Sequence, residues 1–327
     1  EFKLTDQALS EYAAFGRMPG HESIVEGIKA VAPGSWLKIL TNNKISTGKW
    51  WPDNSFCTSK PNNGKDLSRR VKHLVTQAIE EHLISDVGVG AFLSGGIDSS
   101  IVALVAGKEL GRRLQTFTVG FPQSSFDERA VARKVAVKAG TEHNELEINS
   151  NTCLDWVKEA VFNLDVPSVD AINTYIVSKA VRNTGLKVAL SGLGGDELFG
   201  GYPSFRQVPL LQFLTVLPSK INRRIVPLMP KSIKNKLEGL EDFTVCNLTT
   251  ARRRFTSLRH FEDMAEGKGI PFVPPPPPQL DMMGQISWAE IQGYMIPMLL
   301  RDSDQMSMAV GLEIRVPFLD HCLVEEI

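Results

Sequence analysis

Between residues 66 and 190, short apolar runs of strand character alternate with amphipathic helical stretches, and this alternation constrains the fold more than any other feature of the chain. From Asp66 to Ile84, the side chains Leu67, Val71, Leu74, Val75, Ala78, Ile79 and Leu83 recur at helical spacing on one face. A strand is expected over Gly88–Leu93 and a helix over Ile97–Leu110. A second strand follows over Leu114–Phe121, where Thr116, Thr118 and Val119 supply β-branched residues. Phe126-Asp127-Glu128-Arg129 opens a helix that Gly140 closes. A third strand over Glu142–Ile148, helices near Asn151–Phe162 and Ile172–Asn183, and a fourth strand over Lys187–Leu190 complete the series. Strands separated by helices run parallel and carry helices on both faces. The expected fold class is therefore α/β, a parallel twisted sheet that binds its ligands at the carboxyl ends of its strands.

Two glycine-rich loops stand at those ends. In Ser94-Gly95-Gly96-Ile97-Asp98-Ser99-Ser100, the glycines let the backbone turn tightly and approach a ligand, and the serines add hydroxyl donors. The amides that open the next helix have no intrahelical acceptor and suit a phosphate. Asp98 would repel that phosphate unless a cation lay between them, so the arrangement implies Mg²⁺ as well. No lysine follows the glycines, which excludes the Gly-x-x-x-x-Gly-Lys-Ser/Thr loop. The second loop, Ser191-Gly192-Leu193-Gly194-Gly195-Asp196-Glu197, ends the fourth strand. Each loop read alone is also an ordinary strand–turn–helix junction, with Asp196 and Glu197 placed to favour a helix start. Read together, Asp98 and Asp196 end two strand–loop units that one sheet brings close, and two carboxylates facing a polyphosphate make a magnesium site.

The string from Ser94 to Ser100 resembles the pyrophosphate loop of the ATP pyrophosphatases, which split ATP between its α- and β-phosphates. The run from Lys187 to Tyr202 resembles the Ser-Gly-x-Gly-x-Asp-Glu-x-Phe-Gly-Gly-Tyr segment of asparagine synthetases. Asp304 to Asp320, with Met306-Ser-Met308-Ala and Arg315-Val-Pro-Phe-Leu-Asp320, resembles a third segment of that family. The resemblance covers nearly the whole chain and is weakest from about Phe205 to Met283. It implies an adenine nucleotide α-hydrolase-like sheet, a largely helical C-terminal part and a small N-terminal β remnant. It also implies ATP and Mg²⁺ as cofactors. By the resemblance, Ser94, Gly95, Gly96, Ser99 and Ser100 cradle the β- and γ-phosphates, and Asp98 and Asp196 hold the metal. Leu93, Val119, Ser191 and Gly192 surround the adenosine, although Val119 reads equally as core. The implied reaction adenylates a carboxylate, aspartate first, and then forms the amide with ammonia, derived from glutamine in the full-length protein. Two alternatives stay open: the same chemistry on another carboxylate, such as a secondary-metabolite precursor or a cell-surface sugar, and a nucleotide-binding protein without turnover.

Two positions depart from the family pattern. Leu193 stands where the family carries an acid, and leucine exchanges no proton. Gln305 stands where many relatives have a cation before Met-Ser-Met-Ala; Arg301, four residues earlier on the same helix face, is the candidate substitute.

Residues 1–60 read as the C-terminal remnant of a glutaminase domain, with short extended segments from Ala8 to about Asp53, and residues 61–327 as the synthetase domain. The chain reads as truncated at both ends, without the N-terminal cysteine that serves as the glutaminase nucleophile. A net charge of −1 over 327 residues gives no electrostatic reason to expect nucleic acid or a membrane as partner. The expected partners are small molecules, aspartate or another carboxylate with ammonia or glutamine, and a homodimer is left open. Cys57, Cys153, Cys246 and Cys322 are scattered and read as buried small apolar groups in a reducing, cytoplasmic setting rather than as metal ligands or disulfides; the six histidines are equally dispersed. Arg252-Arg253-Arg254 reads as a solvated helix face or an interdomain contact. Pro274 through Pro278 reads as an extended linker or exposed loop. Ile286–Val310 reads as helical, with Trp288, Ile291, Met295 and Met298 or Leu299 near core spacing.

Overall fold

The computed structural model describes residues 3–18, 23–51, 64–120, 128–255 and 273–327. Cys57, Phe126 and Asp127 lie outside them. Compactness divides the chain differently from the 1–60 and 61–327 reading. One unit comprises Glu1–Cys57, Asp165–Val169 and Gly200–Leu300; the other comprises Thr58–Leu164, Asp170–Phe199 and Arg301–Ile327.

The first unit opens with a helix, α1 (Asp6–Phe15), where extended segments were expected. Its Ala-rich sequence favours helix, and Gly16 closes it at φ 66°, a left-handed conformation that costs glycine nothing. An antiparallel hairpin follows, β1 (Ser35–Ile39) with β2 (Ile45–Lys49). Beyond Gly200 the unit is helical, around a core that includes Val208, Leu214, Leu237, Leu248 and Ile286. Trp288, Ile291, Met295 and Met298 are buried, in agreement with their spacing. The proline run is extended but is no free linker: Trp288 Nε1 donates to the Pro274 carbonyl at 2.8 Å, and Val273 and Leu280 pack with Cys246 and Trp288. The arginine run is likewise not a solvated face. The Arg253 guanidinium lies 4.1 Å from the Tyr202 ring centre and 3.8 Å from that of Tyr294, and pairs with the buried Glu290 at 2.9 Å. Arg254 is fully buried, with Nη1 donating to the Lys236 carbonyl. Two aromatic faces and a buried carboxylate make an internal cation tolerable, and none of this is visible in the local sequence.

The second unit holds the sheet. Helix α2 (Gly64–His82) precedes β3 (Val89–Phe92), which leads into α3 (Ile97–Leu104) and a π-helical turn, Val105–Glu109. Then come β4 (Gln115–Gly120), α4 (Arg129–Ala139), β5 (Glu142–Glu147), α5 (Ser150–Asn163), α6 (Ala171–Arg182), β6 (Val188–Leu190) and α7 (Gly195–Phe199). A fifth strand, β7 (Glu313–Arg315), was not expected from the sequence; it pairs with β6 across more than a hundred intervening residues. All pairings are parallel, in the order β5-β4-β3-β6-β7. Successive side chains of a strand face opposite ways, and both faces are covered. Leu93 packs with Ala103 of α3 and Ala132 and Ala136 of α4. Phe92, Phe117 and Ala189 pack with Val181 of α6 on the other side. Chain order reverses between β3 and β6, so a crevice opens at the carboxyl ends of those two strands. Of the cysteines, Cys246 is buried but Cys322 is exposed, contrary to expectation, because it stands in the exposed first turn of the helix His321–Glu326, which buries Leu323 instead.

Arg315 ties the edge strand to α2. Its Nη1 donates to the carbonyls of His82 and Ile84, both at 2.7 Å, at the end of that helix, where carbonyls lack partners and a cation is favourable. Arg315→Leu is expected to lower stability by about 2 kcal/mol, since charge-assisted bonds are lost and carbonyls are left unpaired. A denaturant titration showing less than about 0.5 kcal/mol would refute this role.

Candidate nucleotide and metal site

The β3–α3 loop is built by its own hydroxyls. Gly95 takes φ 84°, and a Cβ there would lie 3.0 Å from Val131 of α4. Ser94 Oγ accepts from the Gly96 amide at 3.2 Å and lies 3.0 Å from Ser99 Oγ. Ser99 is buried and bonds back to the Gly96 carbonyl, as does Ser100 at 2.6 Å. Ser94 and Gly96 are exposed at the mouth of the turn. Leu93 is core, and its carbonyl accepts from Thr118 Oγ1, which ties the loop's base to β4.

The β6–α7 loop closes against it. The Ser191 amide donates to the Arg315 carbonyl at 2.8 Å, and the Leu193 amide to Ser191 Oγ at 3.3 Å. A Cβ on Gly192 would stand 2.7 Å from the Ser99 nitrogen and 3.0 Å from the Asp98 carbonyl carbon. A Cβ on Gly195 would stand 2.4 Å from Asp98 Cγ and 2.6 Å from its Oδ1. Gly194, at φ 95°, is covered by Leu319, whose Cδ2 would lie 2.5 Å from an added Cβ. The two loops thus meet at glycines, and the Asp98 carboxylate lies against the backbone of Gly195. Sequence reading named Gly192 but missed Gly194, Gly195 and Leu319 as parts of the site. Their signal is a glycine pair next to an acid, and only the tertiary contact gives it meaning.

Burial pushes the Asp98 carboxyl up to about 6, and the negative charge of Asp196, in the first turn of α7, adds to the shift. A half-buried carboxylate with a second acid in electrostatic reach, at a crevice with open helix amides, is a donor set that fits a divalent cation and phosphate oxygens. Beside Asp98 lies a cavity of about 500 Å³, walled largely by apolar groups that include Val71, Ile97, Ile101, Phe199 and Phe318. Val119, half-buried at the end of β4, packs with Ile148, Ile176 and Ala180. Arg301 opens the helix Arg301–Met308, which packs through Met306 on Ala171 and Tyr175; the charge acting on Asp98 comes from Asp196. Gln305 donates to the Asn163 carbonyl at 2.8 Å, a structural bond at the end of α5.

The family model for asparagine synthase matches residues 70–327. The chain is 31% identical over 335 residues to a glutamine-hydrolysing asparagine synthetase 1 of Bacillus subtilis, covering 98% of this chain and 52% of the relative. It is 30% identical over 341 residues to asparagine synthetase 3 of the same organism, covering 97% and 51%. The chain thus spans about half the length of the curated relatives it matches. Among solved structures, a U34-tRNA thiolase, NcsA, from Methanococcus maripaludis aligns over 76% of this chain and 78% of its own at 14% identity, with a TM-score of 0.32, too loose to carry a functional argument.

Two outcomes follow from the geometry. Gly192→Ala must move backbone atoms of α3 and is expected to cost about 1–3 kcal/mol of stability, whereas Gly195→Ala needs only the Asp98 side chain to swing away. Chemical denaturation of both variants is expected to rank them in that order, and equal losses would contradict the contact scheme. The second concerns pH. With a folded value near 6 against an ordinary 3.8, ionising Asp98 opposes folding, a cost absent below 3.8 and complete above about 6. Asp98→Asn is therefore expected to raise Tm by roughly 2–5 °C near pH 7.5 without Mg²⁺, and to leave it unchanged near pH 4. A gain equal at both pH values would refute the electrostatic reading.

Proposed function

The chain belongs to the asparagine synthase family, and from that premise we propose that it is the ATP-dependent, amide-forming part of a ligase, with aspartate as acceptor. In the proposed first step, a substrate carboxylate oxygen attacks the α-phosphorus of ATP. The bond to the β-bridging oxygen breaks, pyrophosphate leaves, and an acyl-adenylate remains. Ammonia then adds to the acyl carbon, AMP leaves with the electron pair of the carbon–oxygen bond, and the nitrogen loses a proton. The ammonia would come from glutamine, as the names of the glutamine-hydrolysing relatives suggest, and the protein would work in the cytoplasm.

The observation that carries this reading is the seating of Asp98 against Gly195 with Asp196 in electrostatic reach, in the same loop as the open turn of Ser94 to Gly96. The amides at the start of α3 and the hydroxyls of Ser94 and Ser100 would hold the β- and γ-phosphates and stabilise charge on the departing pyrophosphate. Leu93, Ser191 and Gly192 would bound the adenosine, with Val119 at its edge. Asp98 and Asp196 would hold magnesium, which when bound supplies neutralisation of the polyphosphate charge.

Leu193 favours a second reading with the same chemistry. An apolar side chain at this loop position, and the apolar cavity that touches Asp98, suit an acceptor with a hydrophobic body better than aspartate. One assay separates the readings. With ATP, Mg²⁺, aspartate and ammonia, pyrophosphate and asparagine are expected to form in equal amounts, and Leu193→Glu is expected to raise asparagine formation severalfold. Wild type that makes asparagine efficiently, with a slower mutant, would remove the case for another acceptor. Bound ATP with no pyrophosphate release on any carboxylate would leave a nucleotide-binding protein without turnover.

A further inference from the structure

Residues 203–237 in the first unit carry seven Lys and Arg and no Asp or Glu, in a chain that has 36 of the former and 37 of the latter. A net charge of −1 argues against attraction to a membrane surface only if charge is evenly spread, and it is not. The segment folds into four short helices, Ser204–Leu210, Phe213–Val216, Ser219–Ile225 and Lys231–Leu237, joined by turns and a 3-10 helix at Val226–Leu228. Val208, Leu211, Leu214, Val226 and Leu237 turn inward to one core. The buried Asn222 donates to the carbonyls of Leu214 and Leu217 at 2.6 and 3.2 Å. That pair of bonds pins the third helix so that Ile221, Arg223 and Arg224 stand outward.

What remains outside is unusual. Leu210, Val216 and Leu228 are 76, 79 and 86% exposed, and Phe213 and Ile221 are exposed with them. Arg206, Lys220, Arg223, Arg224 and Lys231 are exposed along the same stretch. Single exposed apolar side chains are ordinary on protein surfaces, but five between residues 210 and 228, interleaved in sequence with exposed cations, are more than a helical segment facing water needs. Phosphate groups of a nucleic acid would satisfy the cations and leave the leucines and valine in water. A lipid interface satisfies both, because apolar side chains enter the acyl boundary while Lys and Arg meet anionic headgroups.

We propose that these exposed side chains make one face and that it docks on an anionic bilayer surface, with Leu210, Phe213, Val216 and Leu228 inserted at the headgroup–acyl boundary and the basic side chains against the lipid headgroups. The protein would then be peripheral: no described helix is long and apolar enough to cross a membrane. The test is flotation of the chain with vesicles of phosphatidylcholine alone and with phosphatidylserine added. Binding to the anionic vesicles is expected to be at least about tenfold tighter than to neutral ones, and to weaken about tenfold as salt rises from 0.1 to 0.5 M. Arg223→Glu with Arg224→Glu is expected to remove the preference for anionic lipid. Leu210→Ser with Val216→Ser and Leu228→Ser changes only exposed positions and is expected to lower binding about tenfold while keeping its salt dependence. Circular dichroism checks that both variants fold. No partition into anionic vesicles, equal binding to neutral ones, or undiminished binding by both variants would overturn the proposal. So would self-association or RNA capture through this face in the absence of vesicle binding.

Discussion

The approach of two loops at bare glycine backbone is the constraint on which the rest of this structure depends. Gly192 and Gly195 leave no room for a Cβ because Asp98 and Ser99 occupy that space. This contact lets two carboxylates, from the ends of β3 and β6, share one crevice. It also explains the burial that lifts the Asp98 carboxyl well above its ordinary range. The repulsion between these two carboxylates is what the proposed cation would relieve.

The segment from Arg315 to Leu319 buttresses that contact from behind. The Arg315 carbonyl fixes the Ser191 amide, its guanidinium closes the end of α2, and Leu319 covers Gly194. Phe318 meets Phe199 edge to face, with ring centres 6.0 Å apart, and so steadies α7, the helix that begins at Gly195. Three motifs far apart in sequence thus form one mechanical unit, in which the third supports the other two.

Much of the fold was legible because β3 to β6 and α2 to α6 follow local rules of periodicity, capping and β-branching. Gly140, for example, closes α4 in the left-handed region where the sequence placed its end. β7 was not legible, because three residues become a strand only by pairing with β6. The helix α1 was hidden by the turn-rich sequence after it. The arginine run misled, since a charge read alone belongs in water, while Tyr202, Tyr294 and Glu290 enclose Arg253 from distant positions. In the candidate site, residue types pointed to Asp98 and Asp196, but the clearance at Gly195 and the cover over Gly194 exist only in three dimensions. For Leu193, an apolar side chain in a loop otherwise built for charge, local sequence gives the departure and not its consequence.

The central claim is that Asp98 acts on the nucleotide through a cation at the pyrophosphate and not through the adenosine. Calorimetric titration of wild type and Asp98→Ala with ATP plus Mg²⁺, and separately with AMP, tests it most directly. The expected result is a loss of affinity for the magnesium complex of at least about tenfold, or 1.4 kcal/mol, with AMP binding changed by less than about twofold. Equal losses for both ligands would contradict the metal assignment and with it the account of why these two loops meet.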